Sequence, residues 1–216
     1  MSNRVKVVSV LSVLAVILAG VYLYYFPRGI WFNAAFAPPV RKASQLTPFQ
    51  KAVLLDLDRQ MTAGTVYADG YYTGGDPPPH VGVCTDVVIS AYRAAGVNLH
   101  KLVSADIAHH RSAYNIAKPD PNIDYRRCRN LQIFFQRHAL SLPRKGTHAG
   151  WQPGDIVIWS TAGKGNPDHI GVIANHLDAE GVPTVVHHWP GLLVCEMDWL
   201  YRFQIVGHFR WPNQHR

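Results

Sequence analysis

Hydrophobic positions recur with two different rhythms in this chain, one before residue 150 and another after it. In the first part they return every three or four residues, the spacing that keeps them on one side of an α-helix. Phe49, Val53, Leu54 and Leu57 follow Thr47, a capping residue, and Pro48, which suits the first helical turn; this stretch should end near Gly64. Val87, Val88, Ala91, Tyr92 and Ala95 form a second stripe that begins at Cys84 and is stopped by Gly96. A third helix is expected within 98–112 and a short fourth from about Asn130 to His138. Between them "KPDPNIDYRRCR", 118–129, reads as a loop, because each proline restricts the residue before it.

After residue 150 the pattern turns to short runs of β-branched and aromatic residues: "GDIVIWS", "DHIGVIAN", "PTVVHHW" and "FQIVGHFRW". Helices followed by strands predict an α+β domain with an antiparallel sheet. "HLDAEGVP" carries a turn signal at 178–181, so the second and third runs should pair as a hairpin. Centring the turn on Ala179 makes opposed residue numbers sum to an even value. Odd-numbered residues then share a face, which brings His169 and His187 together as diagonal neighbours and turns His188 away; a turn shifted by one residue would exchange His187 for His188.

Near the N-terminus Arg4 and Lys6 precede an uncharged run, 7–26, long enough to span a bilayer as a helix. Tyr22, Tyr24 and Tyr25 lie where aromatic rings favour the headgroup level. The run's length, and Pro38 directly after the cleavage-like "AFA", favour a retained anchor over a cleaved signal peptide. Residues 1–26 are thus read as the membrane segment, the proline-containing stretch 27–46 as a linker, and 47–216 as one folded domain.

Composition narrows the partners. With 48% hydrophobic residues among 216, the chain is too apolar for disorder and long enough for a real core. Its net charge of +7 points to an anionic partner. The basic residues are scattered and not interleaved with aromatics, which argues against nucleic acid. No HExxH or paired CxxC spacing occurs among the histidines and cysteines, so neither a metal nor another cofactor is expected. The three cysteines, Cys84, Cys128 and Cys195, admit two readings. Either Cys128 and Cys195 pair and leave Cys84 free, or all three are reduced and buried.

Cys84 carries the candidate chemistry. A thiol at a helix start is favoured as thiolate by the partial positive charge and free N–H groups there. It needs a base, for which His169 is the candidate, and the base needs an orienting group, for which His187 is placed. Asp86 reads as a residue that fixes the helix start. Arg126 and Arg127, with Asn122 and Asp124, either clamp a substrate carboxylate or satisfy the loop's own backbone and charges.

"YYTGGDPPPHVGVCTDVVISAYRAAGVNL", "KPDPNIDYRRCRNLQIFFQRH", "WQPGDIVIW", "DHIGVI", "VVHHW" and "GHFR" span nearly all of Tyr71 to Arg210. Together they resemble the bacterial family of domain of unknown function 1287, within the NlpC-type, papain-like cysteine peptidases and amidases. The resemblance implies a helix bearing Cys84 packed on a small antiparallel sheet bearing His169 and His187. It also implies hydrolysis of amide bonds, with a peptidoglycan stem peptide as substrate. An anchor in the bacterial inner membrane, with the domain in the periplasm, follows from the same likeness; secretion to the periplasm after signal cleavage is the alternative. Relatives of this kind usually carry His where Tyr125 stands and Asn where His188 stands. Fold likeness leaves two rivals open: a membrane-tethered cell-wall binding module without turnover, and an acyl transferase or lipid amidase. Oligomeric state is left open.

Overall fold

The computed structural model describes residues 39–145 and 148–212. The expected membrane segment and most of the expected linker lie outside them. Among the described residues no helix is long and apolar enough to cross a membrane.

Helix α1 runs Pro48–Thr62. Its start is reciprocally capped: the Gln50 N–H donates to the Thr47 hydroxyl, and the Thr47 N–H donates to the Gln50 side chain. Strands β1 (Val66–Tyr67) and β2 (Val81–Gly82) form a small parallel pair. Helix α2 follows at Cys84–Ala94 and ends before Gly96, whose φ of +84° only glycine adopts without strain. Helices α3 (Leu99–His109), α4 (Arg111–Tyr114) and α5 (Cys128–His138) complete the first part. Helix α5 begins two residues ahead of the expected Asn130, so its first residue is a cysteine.

Six strands form the second, antiparallel sheet in the order β3-β8-β4-β5-β6-β7. They are β3 (Leu140–Ser141), β4 (Ile156–Ser160), β5 (His169–Leu177), β6 (Pro183–His188), β7 (Val194–Met197) and β8 (Gln204–Arg210). The chain is therefore a mixed α+β structure with a small parallel pair and a larger antiparallel sheet. The four expected runs are β4, β5, β6 and β8. Strands β1, β2 and β3 are too short to leave an alternating pattern.

In the β5–β6 hairpin Val172 opposes Val186 and Ile173 opposes Val185, which centres the pairing on residue 179. A register shift nearer the turn, where Leu177 opposes Pro183, leaves the parity intact. Even-numbered Ile156, Ile158, Ile170, Val172 and Val186 pack with Val87, Val88 and Ala91 of α2. Odd-numbered Val157, Trp159, Ile173 and Val185 pack on the other face with Trp151 and Leu200. Both faces are covered, which is why these strands read as continuous apolar runs.

The expected linker is partly built into the domain. The Val40 N–H donates to the Asn175 carbonyl, and the Asn175 side chain bonds both backbone groups of Arg41. On the helical side, the Asp106 carboxylate accepts from Tyr114 and Arg137 and faces His110 and His138. Burial works to raise its pKa, but the hydrogen bonds from Arg137, Tyr114 and His138 outweigh it and hold the carboxyl far below its ordinary range. A depressed folded-state pKa gives stability that is present above the unfolded value of about 3.9 and lost as pH falls through the folded value. Asp106→Asn is thus expected to lose about 2 kcal/mol at neutral pH, with the gap to wild type narrowing below about pH 4. Urea titrations at the two pH values check this; a gap independent of pH would remove the carboxylate from the explanation.

Candidate active site

The first residue of α2 is Cys84. Val83 precedes it in an extended conformation, and its N–H donates to the Asp86 carboxylate at 2.8 Å, which pins the helix start. Asp86 is in turn gripped by Arg126, whose Nε and Nη2 each donate to it at 2.8 Å. Arg126 Nη1 donates to the Gly70 carbonyl, and the guanidinium lies over the Tyr72 ring. The segment ahead of α5 is thus fastened through Arg126 to the helix that presents the sulfur.

Cys128 opens α5 and faces Cys84, with the two Sγ atoms 3.8 Å apart. A hydrogen bond from the Cys128 thiol, the charge and hydrogen bonding of His169, and the Ile170 N–H hold the Cys84 thiol well below its ordinary range, against the opposing effect of burial. All three cysteines are free. The open possibility of a Cys128–Cys195 disulfide is corrected here: Cys128 sits against Cys84, while Cys195 lies on β7 opposite His187. Burial pushes the Cys195 thiol up to about 12.

His169 is the first residue of β5, and its Nε2 lies 2.9 Å from Nδ1 of His187 on β6. The hairpin register predicted this meeting. With Nε2 engaged, Nδ1 of His169 is the nitrogen left for the sulfur. His187 is fully buried, and burial followed by the charges of His169 and His188 drives its pKa well below the ordinary imidazole range. A neutral His187 suits the orienting role, since it accepts a proton bond from a charged His169 without itself ionising. Trp159 stacks on His169 at 5.5 Å, Trp189 meets it edge-on at 4.9 Å, and Trp199 lies 5.0 Å from His187. These rings pack around the imidazole pair and fix its orientation.

Gly171 makes the hairpin possible at this point. A Cβ there would lie 2.6 Å from Val185 and 3.2 Å from the Cβ of His187. Gly171→Ala is expected to lose about 1–3 kcal/mol in a urea titration and to shift the ring resonances of His187. An unchanged midpoint and spectrum would show that the hairpin yields freely.

A cleft of about 520 Å³ opens onto the sulfur, lined among others by Tyr67, Cys84, Arg127, Cys128 and Asp168. The expected binding residues divide. Arg127 reaches this cleft from an exposed position, with Asp124 3.8 Å away. Arg126 also lines it, but its hydrogen bonds go to Asp86 and Gly70. Asp124 accepts the Asp120 N–H, and Asn122 accepts the Gly74 N–H and donates to the Tyr71 hydroxyl. Of these, only the Asp124 contact serves the loop's own backbone; Asn122 and Arg126 bond residues outside it. His188 faces the helical side, beside the Tyr67 ring, as the parity predicts. Tyr125 stacks on His100 and donates to Asp76. Among the described residues no cluster of three or more His, Cys, Asp or Glu has the geometry to hold a metal ion.

Two residues escaped sequence reasoning. Cys128 belongs to the stripe of Leu131, Phe134 and Phe135, and extending that stripe back three residues would have found it. Tyr67 left no signal; the pairing of β1 with β2 sets it opposite Gly82, two residues before Cys84. Burial and then the nearby Cys84 charge push its hydroxyl up to about 12, so it is a proton donor at neutral pH.

The family model described as "Domain of unknown function (DUF1287)" matches residues 51–211. The chain is also 37% identical over 167 residues to "Uncharacterized protein YijF" of Escherichia coli (strain K12), across 73% of this chain and 80% of that one. The model match spans the helix of Cys84, the loop that braces it and the hairpin of the two histidines: the chain belongs to the DUF1287 family.

Proposed function

We propose that this chain is a cysteine hydrolase of amide bonds with a papain-like arrangement, acting on peptidoglycan stem peptides from an anchor at 7–26 in the bacterial inner membrane. One observation carries the reading: a sulfur favoured as thiolate stands beside an imidazole whose far nitrogen is held 2.9 Å from a neutral, buried histidine. The Cys84 thiolate attacks the carbonyl carbon, and the C–N bond breaks as the His169 imidazolium protonates the departing amine. Water then adds to the thioester with His169 as base, releasing a carboxylic acid and restoring the sulfur. The Cys84 N–H and the Tyr67 hydroxyl are the donors for the oxyanion. Arg127 at the cleft and the basic balance of the chain suit a substrate bearing free carboxylates.

The test is direct. Purified protein incubated with cell-wall fragments should release new amino groups, and prior alkylation with iodoacetamide should stop the release. No amine release, or release unaffected by alkylation, would overturn the assignment.

A further inference from the structure

The hydrolytic reading has no step for Cys128 to perform as a nucleophile, yet the chain places it in contact with the one sulfur that matters. Cys128 and Cys84 open different helices, 44 residues apart in sequence, and their Sγ atoms meet at 3.8 Å beside an open cleft. Cys195 takes no part, being held on β7 behind His187. A thiolate lining an open cleft, with a second thiol in van der Waals contact, is the arrangement that thiol–disulfide exchange requires.

We propose that Cys84 and Cys128 are a reversible redox pair, closing to an intramolecular disulfide when low-molecular-weight disulfides of the glutathione class act as oxidant. A disulfide bond is about 2.05 Å long, so the sulfurs, now 3.8 Å apart, must approach by a little under about 2 Å. The Cys84 thiolate attacks one sulfur of the small disulfide; the new S–S bond forms as the small disulfide's own S–S bond breaks, and the first small thiolate leaves, taking its proton from the His169 imidazolium. Cys128 then attacks Sγ of Cys84, displacing the second small thiol, which takes the Cys128 proton. The protein dithiol loses two electrons and the small disulfide gains them.

The order of events is built into the pair. The hydrogen bond with Cys84, then burial, then the Cys84 charge hold the Cys128 thiol well above its ordinary range. Once Cys84 is capped it carries no charge and accepts no such bond, so Cys128 ionises more readily at the moment it is needed. Closing the bond occupies the nucleophile and halts hydrolysis until a thiol reopens it. That consequence rests on the hydrolase reading; formation of the bond does not.

The full chain, fully reduced, should be equilibrated in mixtures of oxidised and reduced glutathione, quenched with acid, unfolded in guanidinium so that every remaining thiol is blocked with iodoacetamide, and its peptides mapped by mass spectrometry. Towards the oxidising end, alkylation of both Cys84 and Cys128 should be lost and a peptide pair joined through them should appear, with Cys195 still alkylated. Dithiothreitol should reverse the change, and Cys128→Ser should stop at a persistent glutathione adduct on Cys84. A persistent adduct on Cys84 in the unaltered chain, a bridge through Cys195, or two thiols alkylated at every ratio would each overturn the proposal. Amine release measured on the same samples separates the two readings. Activity that falls with the bridge supports both, whereas a bridge in a chain that never releases amines supports the redox pair and sinks the hydrolase.

Discussion

Cys84→Ala is expected to lower amine release from cell-wall fragments by about a thousandfold or more, leaving it at background. The substitution removes the thiolate that lines the cleft, while costing the fold only about 1 kcal/mol for one buried atom. His169→Ala should lose about a hundred- to ten-thousandfold, the usual worth of a positioned acid and base. Iodoacetamide supplies a measurement independent of substrate. In the unaltered chain the rate of Cys84 alkylation should stay high well below the free-cysteine pKa of about 8.5. Cys128→Ala removes the first of the lowering causes and His169→Ala the others that come from its ring, so both should move that profile to higher pH. Equal amine release from Cys84→Ala and the unaltered chain, or a Cys84 profile no different from that of a free thiol, would take the nucleophile out of the mechanism.

The second large effect is on stability. Arg126→Met should lose about 3–5 kcal/mol and lower Tm by on the order of 10 °C. The Arg126 side chain is 1% exposed against 61% for its neighbour Arg127, so the two substitutions must differ in kind. Methionine fills much of the arginine's volume but leaves the Asp86 carboxylate without its two-pronged partner and the Gly70 carbonyl without its donor. Arg127→Ala, by contrast, should change stability by less than about 0.5 kcal/mol and act, if at all, on substrate affinity. Thermal melts of the two variants side by side decide the matter. Equal melting temperatures would mean that the loop is not braced through Arg126.

Much of this was legible in the chain before its structure. Thr47 and Pro48 marked a helix start because capping chemistry is local, and the four apolar runs became strands for the same reason. The meeting of His169 and His187 followed from parity once the turn was centred on Ala179; a turn one residue along would have exchanged His187 for His188, and the observed register decides for His187. What the sequence did not disclose depends on contacts between distant segments. Nothing local says that Arg126 reaches 40 residues back to Asp86, or that Cys128 meets Cys84. The exposed and buried arginines are adjacent in sequence and chemically identical, and only the packing of 118–129 distinguishes them.

The sheet separates the reacting groups by layer. Cys84 belongs to the packed cluster on the helical face, whereas His169 and His187 lie among the tryptophans on the opposite face, and the two sets meet only where β5 begins. On the proposed mechanism, turnover would report on the joint integrity of three strata. Loosening of the outer indole layer alone would silence the reaction while far-ultraviolet ellipticity stayed native, so inactivation on heating should precede the melting of secondary structure.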